Sequence, residues 1–170
     1  SNKIHRRRLT AEEVDREAEA ILRLGYKHLL LVSGESEKAT PASYYDEMTR
    51  RLRPLFSQLS LEVQPLTTEE YARLHEAGIG AVYVYQETYN EQAYPTYHPA
   101  SRKADYRYRL ETPDRIGRAN MQKIGIGALL GLENWRVDSV FTALHLRYLE
   151  QTYWKSKFSI SLPRLRPATG

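Results

Sequence analysis

The sequence has no cysteine among its 170 residues. That absence excludes disulfide bonds, a thiolate nucleophile, and any zinc or iron–sulfur site held by this chain's own thiolates. No apolar run approaches the roughly 18 residues that a membrane span needs, so we expect no membrane segment and no membrane partner. No signal-peptide pattern follows the basic N-terminus, which predicts a soluble, cytoplasmic protein.

A strong excess of one charge is also missing, because the formal net charge is only +4 at a pI near 9.2. Basic residues concentrate at positions 3–8 and 102–109, while the signs are mixed elsewhere. A solvated surface explains most of this charge. The alternative is phosphate or carboxylate binding by individual arginines. We expect no nucleic-acid partner.

Five short β-like runs alternate with helical patterns along the chain. We predict strands over residues 28–32, 59–64, 81–85, 123–132 and 158–162. The run at 28–32 is nearly all apolar, as in a parallel strand covered on both faces. The strands start about 20 to 45 residues apart, the spacing of parallel βα units with right-handed crossovers. At 41% hydrophobic residues, the chain can form one domain over residues 1–170.

Helix signals separate these strands. Capping boxes occupy residues 10–13 and 67–70. Thr40 before Pro41 and Thr112 before Pro113 are predicted N-caps of two further helices. Residues 89–109 contain no such pattern and are polar and rich in tyrosine. A loop of that length in a compact domain is usually functional or mobile.

Two architectures fit five parallel units. An open doubly wound sheet would need a glycine-rich phosphate loop after the first strand, and the Gly125-Ile126-Gly127 run lacks the third glycine of that motif. The other architecture is part of a (βα)₈ TIM-type barrel, which takes about 250 residues when complete. We therefore predict an α/β fold with about five strands of a partial (βα)₈ barrel.

Polar residues follow two of these strands. Ser33, Gly34 and Glu35 come after the first, and Gln86 and Glu87 come after the third. The carboxyl ends of parallel strands lie on one face, where loops form a site. Folding does not require a glutamate at the end of an apolar strand, so these positions indicate a ligand.

Several stretches together resemble the 2-iminoacetate synthase family, the radical S-adenosylmethionine (SAM) tyrosine lyases of thiamine thiazole synthesis. They cover essentially the whole chain, in order, and the most specific is residues 84–89. The tyrosine lyases of [FeFe]-hydrogenase maturation share the Gln-Glu-Thr-Tyr run and a Pro-Arg-x-Arg-Pro end. The stretches that carry the resemblance are residues 28–35, 62–66, 84–89, 109–115, 123–132, 134–138 and 161–167.

The resemblance implies a definite chemistry. In the family, a [4Fe–4S] cluster held by a Cys-x3-Cys-x2-Cys loop cleaves SAM to a radical, and tyrosine is cleaved to dehydroglycine (2-iminoacetate) and p-cresol. It also implies thiazole synthase as a partner. Without cysteine, this chain departs from the family, so we expect a central fragment that is inactive alone. The alternatives are a non-catalytic truncated module and a fragment of a hydrogenase-maturation lyase.

The SAM contacts implied by the resemblance fall on the strand ends. Ser33, Gly34 and Glu35 match the motif that contacts the methionine amino group, and Gln86 with Glu87 matches the ribose-binding strand end.

A further SAM contact is expected from an arginine later in the chain. Arg109 stands where relatives clamp the SAM carboxylate, with Arg107 and Arg115 as rivals.

Gly125 and Gly127 resemble the strand surface that receives adenine, and Arg164 would hold the tyrosine carboxylate. The histidines show no metal-ligand spacing, and only His98 is a candidate for proton transfer. We also expect the isolated chain to self-associate, since its two outer strands would be unpaired edges.

Overall fold

A computed structural model describes residues 7–99 and 102–166. Five strands alternate with helices, as predicted. The strands are β1 (His28–Val32), β2 (Gln58–Glu62), β3 (Ile79–Tyr83), β4 (Lys123–Gly127) and β5 (Lys157–Ser161). The helices are α1 (Ala11–Arg23), α2 (Ala42–Leu52), α3 (Thr68–Ala77), α4 (Tyr94–Tyr97), α5 (Tyr106–Leu110), α6 (Thr112–Arg118) and α7 (Trp135–Thr152), with a 3-10 turn at Arg102–Ala104.

The five strands form one parallel sheet in the order β1-β2-β3-β4-β5. Consecutive strands are therefore neighbours, as in an arc of a (βα)₈ barrel and unlike a doubly wound sheet whose order reverses. This confirms the predicted α/β class and the partial barrel. All five carboxyl ends lie on one edge of the sheet, which is where a site is expected.

The core lies between the sheet and the helices. Leu59, Leu61, Val82, Ile124 and Ile126 on the strands are all at most 1% exposed, and they pack against apolar side chains of the helices. Alternate strand residues point the other way, towards the concave face. On β1 these are exposed, with Leu30 at 43% and Val32 at 64%. The expectation that β1 is covered on both faces was therefore wrong.

The two predicted capping boxes are confirmed. The Thr10 hydroxyl accepts from the backbone amide of Glu13, and the Thr67 hydroxyl accepts from that of Glu70. In return, each glutamate carboxylate accepts from the backbone amide of its threonine. The helix after the second box ends at Gly78, whose φ of 120° suits glycine.

The two other predicted caps were wrong. Pro41, which has no side-chain acceptor, is the N-cap of α2, and Thr40 instead donates to the carbonyl of Ser36. Thr112 lies inside α6, because Glu111 both ends α5 and precedes α6. Its hydroxyl donates to the Tyr108 carbonyl at 3.0 Å.

The segment 89–109 contains more regular structure than predicted, since it includes α4, the 3-10 turn and α5. Asp105 caps α5 by accepting from the amide of Tyr108 at 2.9 Å. The Tyr97 hydroxyl donates to the carbonyl of Leu132 at 2.6 Å, which fastens α4 to the loop after β4. Within the described ranges, no helix has the length and hydrophobicity of a membrane span.

Candidate functional site

The carboxyl ends of β1, β2 and β3 surround an open cavity of about 420 Å³. Its size is in the usual range for a small-molecule site. Three glutamates, two basic side chains and two tyrosines line most of it, together with the turn after β1. These are Glu35, Glu62, Glu87, Lys103, Arg109, Tyr83, Tyr85, Ser33 and Gly34.

Four of these side chains form a compact square of alternating charge. Arg109 Nη1 donates to Glu35 Oε1 at 2.7 Å, and Arg109 Nη2 lies 3.6 Å from Glu87 Oε1. Lys103 Nζ donates to Glu87 Oε1 at 2.9 Å and lies 3.7 Å from Glu35 Oε1. Each carboxylate thus contacts both cations, and the sequence expectation that Glu35, Glu87 and Arg109 meet agrees with this placement.

Arg109 is held rigidly at the end of α5. Its side chain is only 7% exposed, and its Nε donates to the carbonyl of Tyr85 at 2.7 Å. A buried guanidinium is tolerated when its donors are satisfied and a counter-ion is near. Arg109 therefore presents a fixed fork to the cavity.

The two rival arginines lie elsewhere. Arg115 donates to the carbonyls of Leu66 and Tyr108, and it stacks on the Tyr108 ring at 3.8 Å, so it fastens α6 to the protein interior. Arg107 is exposed and lies 3.5 Å from Glu91. Neither lines the cavity.

Glu87 has a φ of 73°, which is uncommon for a residue with a side chain. Two contacts with the segment after β4 fix this conformation: an isolated parallel bridge to Ala128, and the amide of Leu129, which donates to the Glu87 carbonyl at 2.7 Å. Such conformations cost energy and are often found at functional sites. Here the backbone turns at the position where the carboxylate joins the cavity.

The turn after β1 offers mainly backbone to the cavity. The Ser33 hydroxyl lies 2.6 Å from the Tyr45 hydroxyl, so it is already bonded, and the Ser33 amide donates to the carbonyl of Glu62 at 3.2 Å. Ser33 and Gly34 both line the cavity, as does Glu35. The structure therefore brings these three predicted residues together.

Gln86 lies on the opposite face of the sheet. Gln86 is 4% exposed, and its backbone amide donates to the Gly127 carbonyl at 2.9 Å. Its side chain lines a small space that it shares with Ile126 and His145 on the helix side. Tyr83 and Tyr85 line the cavity, so alternation along the strand directs the next side chain, Gln86, to the helix side. The structure does not bring the Gln86 side chain to the site.

The glycines of β4 make room for protein groups. A Cβ on Gly125 would lie 2.1 Å from Cδ1 of Tyr83, and one on Gly127 would lie 1.9 Å from the carbonyl oxygen of Ser161. The groups that approach these two glycines are thus a tyrosine ring and the backbone of β5. Neither glycine lines the cavity.

Arg164 is exposed and follows β5. Its neighbours pair with the segment after β4, where the Leu130 amide donates to the carbonyl of Pro163 and the Leu165 amide donates to that of Leu130, both at 2.8 Å. This pairing fixes the backbone at Arg164, although the side chain is not part of the cavity lining.

Sequence reasoning missed Lys103 and Glu62 as lining residues. Glu62 stands at the end of a strand, as Glu35 nearly does, so its position was a usable signal. His98 is half-buried, and burial first, then the nearby Lys103 charge, hold its pKa below the usual range. Among the described residues no group of three His, Asp or Glu side chains is placed to hold a metal ion.

The sequence profile of the Radical SAM superfamily matches residues 1–143 of the chain. Because this is most of its length, the chain belongs to that superfamily. Members of the superfamily use SAM and a [4Fe–4S] cluster. This chain, which has no cysteine, has no thiolate with which to hold such a cluster.

Two bacterial relatives are similar over the whole chain. The 2-iminoacetate synthase of Escherichia coli (strain K12) is 50% identical over 171 residues, and that of Salmonella typhimurium (strain LT2) is 49% identical. The alignments take in 100% of this chain but 45% of each relative. The chain thus spans less than half the length of these enzymes.

Solved structures agree with this placement. A crystal structure of HydG, a maturase of the [FeFe]-hydrogenase, superposes with a TM-score of 0.93 at 32% identity and covers 99% of this chain and 39% of its own. HydG from Carboxydothermus hydrogenoformans gives a TM-score of 0.90, also at 32% identity, over 98% of this chain and 39% of its own. Methylornithine synthase (PylB), with a TM-score of 0.71 at 17% identity over 95% of this chain and 47% of its own, shares the fold.

Proposed function

We propose that this chain is the SAM-binding central part of a 2-iminoacetate synthase, a lyase that cleaves the Cα–Cβ bond of tyrosine to 2-iminoacetate and p-cresol for thiamine thiazole synthesis. The observation that carries the proposal is the square of Glu35, Glu87, Lys103 and Arg109 at the carboxyl ends of the strands. The 50% identity to a curated 2-iminoacetate synthase supports the particular reaction.

The charged groups of the cavity match those of SAM. The Arg109 fork suits the ligand's carboxylate. The Glu35 carboxylate suits its ammonium group, and Glu87 suits the two vicinal ribose hydroxyls, which are hydrogen-bond donors. The backbone of Ser33 and Gly34 would lie along the methionine part. We assign no contact to the Gln86 side chain, because it faces the helices.

The residues of this chain do not fit an iron–sulfur cluster, because thiolates are its usual ligands. A [4Fe–4S] cluster bound by thiolates would supply the electron for reductive cleavage of SAM, and the residues of this chain are assigned no step at it. The residues of this chain bind, orient and shield the ligand. We accordingly propose that this chain alone does not turn over tyrosine.

Tyrosine binding is assigned to the concave face between β4 and β5. Arg164, fixed by the backbone pairing beside it, would hold the tyrosine carboxylate. The Tyr83 ring covers Gly125, so the predicted role of Gly125 towards adenine requires that ring to move. The Ser161 carbonyl lies against Gly127, so the same role for Gly127 requires the backbone of β5 to move. A thiazole synthase partner and a cytoplasmic location stay predictions.

The second candidate is a lyase of the hydrogenase-maturation type. The TM-score of 0.93 to HydG supports this candidate on the level of the fold. The sequence identity to HydG is 32%, which is lower than the identity of 50% to the thiamine enzyme. Both candidates place the same residues around SAM. The higher identity is our reason for preferring the thiamine enzyme.

A chimaera tests the reaction. The 171 aligned residues of the Escherichia coli 2-iminoacetate synthase would be replaced by this chain, and p-cresol and 2-iminoacetate measured with tyrosine and SAM under reducing conditions. We expect both products in amounts comparable to the parent enzyme. A folded, cluster-loaded chimaera that binds no SAM would contradict the proposal, and one that binds SAM but leaves tyrosine intact would contradict the assigned substrate.

We also propose that the isolated chain self-associates. One face of α7 is apolar and exposed, with Val137, Val140, Phe141 and Leu144 between 47% and 58% exposed. The outer strand β5 adds Ile160 at 43%. Contiguous apolar surface of this kind favours association, and both β1 and β5 are strands with one unpaired edge.

A further inference from the structure

Glu62 ends β2 and lines the cavity between the two strand ends that carry Glu35 and Glu87. Its backbone is fixed on one side, where it stands opposite Val32 in the β1–β2 register and its carbonyl accepts from the Ser33 amide. On the other side lies Tyr85, whose pKa is raised first by burial and next by the Glu62 charge. Glu62 therefore stands at the end of the middle strand of the three that surround the cavity, and it lines that cavity.

The charges around the cavity do not cancel. Glu35 and Glu87 each contact both Lys103 and Arg109, so two carboxylates and two cations balance one another. Within residues 7–99 and 102–166, Glu62 forms no ion pair. The described side chains that line the cavity therefore carry one net negative charge, and Glu62 is the carboxylate without an ion pair among them.

SAM has three charged groups, an ammonium, a carboxylate and a sulfonium, and a net charge of +1. The proposed function uses Glu35 for the ammonium and Arg109 for the carboxylate, which leaves the sulfonium without a counter-charge. We infer that Glu62 is the residue that recognises the positive sulfur, so that the cavity prefers SAM to its neutral demethylated product, S-adenosylhomocysteine. This inference rests on the proposed function, because it names the charge that the same cavity selects.

The test compares two ligands that differ by one methyl group and one charge. Equilibrium dialysis would give the affinity of this chain for SAM and for S-adenosylhomocysteine, in the wild type and in Glu62→Gln. Wild type should prefer SAM, and the substitution should weaken SAM binding about five- to tenfold, the range for one partly screened charge pair, while S-adenosylhomocysteine changes less than about twofold. Glu76→Gln, which removes the same charge from the exposed side of α3, should leave both affinities unchanged.

Other outcomes separate the inference from the proposed function. Equal losses for both ligands, or no loss for either, would overturn the role of Glu62 while SAM binding itself stands. Wild type that binds neither nucleoside would overturn the proposed function and this inference together. If Glu62→Gln does not fold, Glu62→Ala removes the same charge with a smaller side chain, and a preference for SAM as large as that of the wild type would then contradict the role.

Discussion

Arg109 donates a hydrogen bond to Glu35 at 2.7 Å, although 74 residues separate the two along the chain. The bond connects the end of α5 to the turn after β1, across the mouth of the cavity. Both residues were expected to contact SAM: Arg109 was expected to bind the carboxylate of SAM, and Glu35 the ammonium group of SAM. Each group serves as the other's counter-ion, and binding of the proposed ligand would exchange this contact for two contacts with SAM.

Substitution of Arg109 tests that exchange. Arg109→Ala removes the proposed carboxylate contact, so SAM binding should weaken by on the order of 2–3 kcal/mol, the range for a hydrogen bond to a charged group. Unfolding in urea should also become easier by about 1–3 kcal/mol, because the Tyr85 carbonyl loses its donor.

Arg107→Ala is the matched control for Arg109. Arg107 is exposed and outside the cavity, so both quantities should stay within about 0.5 kcal/mol of wild type. Equal effects of the two substitutions on SAM affinity would exclude Arg109 from the site.

Substitution of Gly127 on β4 should lower the stability of the fold. Gly127→Ala would place a methyl group 1.9 Å from the Ser161 carbonyl oxygen, a backbone atom that cannot turn aside. We expect a loss of about 1–3 kcal/mol in the free energy of unfolding, the range for overpacking.

Gly80→Ala is the control for that loss. The added methyl group would meet the Gln122 side chain at 3.6 Å and the Leu59 carbonyl oxygen at 3.9 Å, both ordinary contacts. Chemical denaturation of both variants checks the contrast, and similar stabilities would show that β4 and β5 are not packed as described.

His145 predicts an acid-dependent loss of stability. Burial lowers the pKa of His145, and the Tyr89 hydroxyl lies 3.0 Å from its Nδ1. Because the unfolded chain then binds the proton more tightly, this contribution to stability is complete above the unfolded pKa of about 6.5 and is lost as the pH falls towards the folded pKa.

Urea titrations at pH 7 and pH 5 measure that contribution. The free energy of unfolding of the wild type should fall between them, and it should fall less in His145→Gln, which cannot be protonated. Some decline should remain in the variant, since the pKa of His98 is also lowered. Identical declines in the two proteins would show that His145 is not buried as a neutral ring.

Exposed apolar residues on α7 predict the behaviour of the isolated chain. Light scattering after size exclusion should give a mass above 19.8 kDa that rises with concentration. Val140→Lys introduces a charge into the apolar face and should shift the population towards monomer. Glu150→Gln, which also raises the net charge on an exposed part of α7, should not. A monomeric wild type at all concentrations would contradict the proposed association.

Local signals in the sequence were sufficient for much of the fold. The capping boxes at Thr10 and Thr67 depend on residues three positions apart, and β1 begins and ends where its apolar run does. Contacts between distant segments were not visible in the same way. Thr112 was predicted to be an N-cap from its position before Pro113. Its hydroxyl instead donates to the Tyr108 carbonyl, a contact that arises because α5 leads directly into α6.

The site was predicted to a similar extent. Glu35 and Glu87 follow apolar strands, which is a local pattern, and the family resemblance added Arg109. Lys103 was missed because its role depends on how the 3-10 turn folds over the strand ends. Gln86 was assigned to the site from the resemblance to the ribose-binding strand end of the family, whereas strand alternation places its side chain on the helix side.

The most direct test of the central claim is equilibrium dialysis of this chain against labelled SAM. We expect one saturable site per chain. In Glu35→Gln combined with Glu87→Gln, affinity should fall more than about tenfold, because two charged hydrogen bonds are lost, while exposed Glu91→Gln should bind as wild type does. Absence of saturable binding in the folded wild type, or full affinity in the double variant, would contradict the claim that these strand ends form a SAM site.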